Sequence, residues 1–179
     1  EKGEDLGRLE ERAVEMHLAE RDGGEYEGEA WPKTAPPASR AYLVCARVLR
    51  EADAGGGGKA LGELLRGMLE AAPDVVRLAG MALTEAVEGD LAGEADEGGP
   101  AHEAYRASQR RRRALWGVVE ASRKKEGEEE GGSDPSAAAA ALSVLAVALE
   151  PMAGRDLSGV RVPSAWLQGV SLEGTDLRG

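Results

Sequence analysis

Few side chains in this 179-residue chain could do covalent or metal chemistry. There is one cysteine, Cys45, and there are two histidines, His17 and His102. Neither histidine sits in a metal-ligand spacing, and a single cysteine excludes a cysteine-rich zinc site and an internal disulfide. A Cys45–His102 pair could in principle act as nucleophile and base. A small buried thiol and a surface imidazole is the plainer reading. The run Gly55-Gly56-Gly57-Gly58-Lys59-Ala60 invites comparison with a phosphate loop. That loop needs Gly-x-x-x-x-Gly-Lys-(Ser/Thr) after a strand, because the hydroxyl binds magnesium. Here Asp53 stands at the first glycine, Ala60 replaces the hydroxyl and no apolar strand precedes it, so the run reads as a linker. Carboxylates are abundant but gather in Gly-rich stretches, with no spacing that marks acid/base work. The expectation is therefore no catalytic residue, no cofactor and no metal.

The sharpest charge feature is Arg110-Arg111-Arg112-Arg113. Four consecutive helical positions cover about 300° of the circumference, so they cannot form one groove-binding stripe. They read as a solvated, ion-paired helix segment, with nuclear targeting or an acidic partner as the other readings. The chain as a whole carries a formal charge of −11 and a sequence pI near 4.8. That balance opposes nonspecific nucleic-acid binding and favours solubility. The most apolar run, 137–149, is too short to span a bilayer and is interrupted by Ser143. A cytoplasmic protein is expected, with no membrane partner; the arginine run would allow the nucleus.

The apolar periodicity around these side chains is mostly helical. Leu6, Leu9, Ala13 and Met16 share one face of a helix over 4–20, with His17 beside it. A Gly-, Glu- and Pro-rich linker follows at 21–39, in which Trp31 would be a docking anchor. Ser39 is an expected N-cap for a helix over 40–51 with Tyr42, Cys45 and Leu49 inward. Helices are expected over 61–71, burying Leu61, Leu64, Leu65 and Met68, and over 74–87 after Pro73, burying Val75, Leu78, Ala82 and Ala86. Acidic loops at 88–100 and 124–134 flank a helix over 101–122 with Leu115, Trp116, Val118 and Val119 inward. Asp134 caps the last helix, which is apolar almost all round and so should be central. With aromatics at 3% and no Phe, the core must be built from Ala, Leu, Val and Met.

The last stretch, 155–179, repeats every five residues. Leu157, Val162, Leu167, Leu172 and Leu177 form one column. Val160, Ala165, Val170 and Thr175 form a second. A period of five fits neither a helix nor a flat strand, so each block must turn as well as extend. With Asp156-Leu157 and Asp176-Leu177, the pattern resembles the pentapeptide-repeat family, whose consensus is Ala-(Asp/Asn)-Leu-X-X. The resemblance implies a right-handed quadrilateral β-helix with both columns inward and four blocks to a coil. Arg155, Pro163 and Trp166 depart from the consensus. The helical region followed by Arg155-Asp156-Leu157-Ser158-Gly159 is similar to the junction in NACHT-type signalling NTPases, which often carry WD repeats.

The expected fold class is therefore mainly α: a helical bundle followed by the first coil of a pentapeptide β-helix solenoid. Three regions are expected: an N-terminal helix and linker (1–38), an α-helical connector with acidic loops (39–154), and truncated repeats (155–179). The expected function is a noncatalytic scaffold or protein-interaction segment, a fragment of a larger signalling NTPase. It would contact modules upstream and downstream and offer Arg161, Trp166, Gln168, Glu173 and Arg178 to a protein partner. The alternative is an acidic pentapeptide DNA mimic that binds a DNA-handling enzyme.

Overall fold

A computed structural model describes residues 6–21, 37–54, 58–91, 99–123 and 134–178. The linker with Trp31, the centres of both acidic loops and Gly55, Gly56 and Gly57 lie outside the described residues. The helices are α1 (Leu6–Arg21), α2 (Pro37–Ala54), α3 (Lys59–Leu65), α4 (Met68–Ala71), α5 (Pro73–Leu91), α6 (Pro100–Ala121) and α7 (Pro135–Val147). The expected 61–71 helix is two pieces. Gly67, at φ 65°, breaks it, and its N–H goes to the Ser136 hydroxyl of α7 (3.1 Å) instead of continuing the helix.

Helix α7 is the axis of the fold. Every residue from Ala137 through Ala146 is buried, and α3, α4, α5 and α6 all pack on it. An all-apolar helix has no side to give to water, so its neighbours must surround it. Its small alanines let them come close. At Gly80 of α5 an added Cβ would lie 2.5 Å from the Cβ of Val147. Helix α2 turns Val44, Cys45, Val48 and Ala52 inward. Tyr42, expected on that face, is 60% exposed. Ser39 is not the cap either, because Pro37 already opens the helix at the first position, where the helix needs no backbone N–H. Asp134 does cap α7, accepting from Ser136 N at 2.8 Å.

The expected β-helix coil and solenoid are not what the tail forms. Among the described residues there is no strand and no sheet; the one extended pairing is an isolated parallel bridge, Asp156 with Asp176. The physical reason lies in the turns. Gly154, Gly159, Ser164, Gly169 and Gly174 all have positive φ. Around each, the N–H of the next residue bonds back three positions: Arg155 to Met152, Val160 to Leu157, Ala165 to Val162, Val170 to Leu167 and Thr175 to Leu172. These are turns with a left-handed third residue. So many turns leave too few extended residues between them for a ladder. Pairing occurs only where the chain returns beside itself, through Gly154 N to Glu173 O, Leu157 N to Asp176 O, Gly159 N to Arg178 O and Asp176 N to Arg155 O. Pro163 fits this arrangement, because the second position of such a turn suits proline.

Candidate interaction surface

Two columns of the tail meet the helices to different degrees. Leu157 is buried and belongs to the core that runs from α1 to α7. Val160, Val162, Ala165, Leu167, Val170 and Leu172 are partly buried against that core. Thr175 donates to Met152 O at 2.9 Å. Leu177 is 58% exposed.

Buried serines fasten the tail to the bundle. Ser143, the polar break in the apolar helix, donates to Ala139 O (2.7 Å) and accepts the Trp166 N–H (2.8 Å). Ser122, at the end of α6, donates to Val119 O (2.7 Å) and accepts the Arg161 N–H (3.2 Å). Each hydroxyl thus uses its donor on its own helix and its acceptor on the tail.

A charged cluster closes the junction from the other side. Glu150 follows α7. Its Oε2 accepts from Arg112 Nη1 at 2.5 Å. Its Oε1 accepts from Trp116 Nε1 at 3.2 Å and from Arg155 Nη2 at 3.0 Å. The Arg155 guanidinium stacks 4.1 Å from the centre of the Trp116 ring. Arg112 also donates to the carbonyls of Leu83 and Ala148, so it joins α5, α6 and the end of α7. The side chains of Arg112 and Glu150 are only 8% and 12% exposed. Arg112 is therefore not part of a solvated segment. Its neighbour Arg111 grips Asp53 of α2 through Nε (2.9 Å) and Nη2 (2.6 Å).

Glu150 reaches this cluster because of an unusual backbone. Leu149 adopts φ 54° just past α7. Glu150 N bonds to Leu145 O and Leu149 N to Ala146 O. This is a Schellman end with leucine where glycine is usual, and the leucine is 76% exposed. Further along, Arg123 donates to the Asp156 carboxylate (3.0 Å) and carbonyl (2.8 Å). The Ser158 hydroxyl and N–H, then Arg123, hold the Asp156 carboxyl far below the usual carboxylate range.

Of the five residues expected to face a partner, Arg161, Gln168, Glu173 and Arg178 are exposed. Arg178 is paired with Asp176. Trp166 is half-buried, with Arg77 of α5 lying 5.5 Å from its ring centre. The chemistry-bearing side chains are dispersed. Burial pushes the Cys45 thiol up to about 11, with Arg111 pulling weakly the other way; a nucleophile needs the opposite shift. His17 is buried on α1, and His102 is half-buried near the start of α6. Helix α2, not a strand, leads to Gly58 and Lys59, and both of those are exposed. Among the described residues no group of His, Cys, Asp and Glu could hold a metal ion. None of the described helices is long and apolar enough to cross a membrane.

The hub residues carry a sequence signal that binary patterning of the arginine run hides. Ser108, Arg112, Leu115, Val119 and Ser122 fall at 4-3-4-3 spacing. Arg112 therefore lies in the apolar stripe of α6. Glu150, far off in sequence, carries no such signal.

No known protein family, curated protein or solved structure matches this chain.

Proposed function

We propose that this chain is a noncatalytic scaffold in which a helical bundle holds a turn-rich tail rigid and presents its outer side chains to a protein partner. The single observation that supports this most directly is the double fastening of the tail. Ser122 and Ser143 bind its backbone, so the side chains of Arg161 and Gln168 are left outward on a fixed frame. A preorganised surface binds with less ordering cost than a free peptide. On this reading Trp166 supports the surface from beneath and does not contact the partner.

Photo-crosslinking tests the reading. A photoreactive residue at Gln168 or Glu173 should give a discrete protein adduct, and one at exposed Tyr42 of α2 should not. The adduct should disappear when Gln168→Arg and Glu173→Arg are combined in a chain with an unchanged melt. Equal labelling from all three positions, or nucleotide turnover by the purified chain, would overturn it.

A further inference from the structure

The arginine run is split by the fold into three environments, and only part of it is consumed by structure. Arg112 is buried and Arg111 is engaged by Asp53. Arg110 and Arg113 remain exposed on α6, and so does Arg106 one turn earlier. The spacing 106, 110, 113 is 4-3, which places all three on one helix face. Together with Tyr105 and Gln109 they line an open depression of ≈ 400 Å³. Among the described residues Arg106 and Arg113 have no ion-pair partner, and Arg110 has only a long contact, 3.8 Å, to Asp53.

This is an unusual surface for a chain with a net charge of −11. Unpaired arginines on an acidic protein are not needed for solubility. They lie on the outward face of the helix whose inward face carries the core. We infer that the Arg106–Arg110–Arg113 stripe is a docking face for an acidic segment of another protein. At a rise of about 1.5 Å per residue the stripe is about 10 Å long. That length matches two or three carboxylates, which stand about 5–6 Å apart on a helix face or about 7 Å apart on alternate positions of a strand. Each guanidinium can take a carboxylate through two parallel N–H donors. Tyr105 and Gln109 add a ring wall and an amide beside them. A nucleic acid fits less well: its affinity grows with the number of phosphates neutralised, and three cations along about two helix turns within a strongly negative chain give little of that. This face lies on α6 and is independent of the tail surface proposed above.

The test uses the full chain and a fluorescein-labelled twelve-residue peptide of alternating Glu and Ser, read by anisotropy. Arg106→Gln with Arg113→Gln should weaken binding about five-fold or more, the effect of losing two exposed ion pairs. The control, Lys59→Gln with Arg77→Gln at two exposed positions on α3 and α5, changes the net charge equally and should move binding less than two-fold. Raising the salt from about 50 to about 300 mM should abolish the difference, because such exposed pairs are screened. Equal weakening in both variants would reduce the stripe to a bulk charge effect and overturn the inference. So would absence of binding, or tighter stripe-dependent binding of an oligothymidylate of the same length. Concentration-dependent dimers in sedimentation that vanish in the stripe variant would replace the foreign partner with a second copy of this chain. Should the stripe variant melt differently, phenylglyoxal labelling of Arg106 and Arg113 in the unsubstituted chain, with and without peptide, decides. Protection is expected; unchanged labelling refutes.

Discussion

Glu150→Ala is the most informative perturbation of this fold, because one carboxylate serves three donors, two on α6 and one on the tail. Its loss leaves the Arg112 guanidinium 8% exposed with only backbone carbonyls and the Ser108 hydroxyl for company. Removing one partner of a buried ion pair costs about 3–5 kcal/mol. The remaining acceptors of Arg112 put the expected cost at the lower end, about 3 kcal/mol. Arg155 is 42% exposed, so its lost pair adds under about 1 kcal/mol. For a chain of this size a loss of about 3 kcal/mol lowers the melting temperature by about 6–12 °C. Urea unfolding followed by far-ultraviolet circular dichroism measures it. The cycle with Arg112→Met supplies the control. Arg112→Met alone takes a donor from the Ala148 carbonyl and from the Glu150 carboxylate, while Leu83 O keeps the Ser108 hydroxyl and Glu150 keeps Trp116 and Arg155, at about 1–3 kcal/mol. The double variant should be less destabilised than the sum of the singles, with a coupling of about 1.5 kcal/mol or more. A Glu150→Ala cost below about 1 kcal/mol, or a coupling below about 0.5 kcal/mol, would refute the buried-hub reasoning.

Three further outcomes are expected. Leu149→Gly should stabilise the chain by about 0.5–1 kcal/mol, because relief of the left-handed strain outweighs the added backbone entropy at an exposed site; a loss in the same urea assay would contradict the Schellman assignment. Gly80→Ala should destabilise by about 1–3 kcal/mol, since its Cβ would meet the Cβ and Cγ1 of Val147 at 2.5 Å; an unchanged melt would show that α5 and α7 can part. The Cys45 thiol is raised from 9.0 to about 11, so the unfolded chain ionises first and stability should fall as pH rises between those values. Cys45→Ala should flatten that part of the urea-midpoint profile, and an identical slope in both chains would speak against the burial effect.

The helices were legible because their signals are local. The spacing of Leu61, Leu64 and Leu65 in α3, the Asp134-Pro135 start and the apolar run of α7 each depend on neighbours a few positions away; the break at Gly67 does not, because its N–H is taken by Ser136 of α7. On α2, Cys45 and Leu49 meet the core as their spacing implies, but Tyr42 on the same period is exposed while Val44 and Val48 turn inward, because only packing chooses between adjacent stripes. The five-residue period of the tail was equally plain, and it correctly demanded a turn in every block. It did not decide that the blocks would lack strands: that follows from where the chain meets itself and where it meets α6 and α7.

Short-range sterics and apolar periodicity thus set most of the helical segments, the central place of α7 and the turning of the tail, but not the break between α3 and α4. The tertiary structure alone decided the fate of the charges. Four adjacent arginines look alike in sequence, yet one is buried on Glu150, one grips Asp53 and two stay outward. Which acid each meets depends on residues that stand far apart in the chain, such as Asp53 and Glu150, and only packing brings these within hydrogen-bond reach.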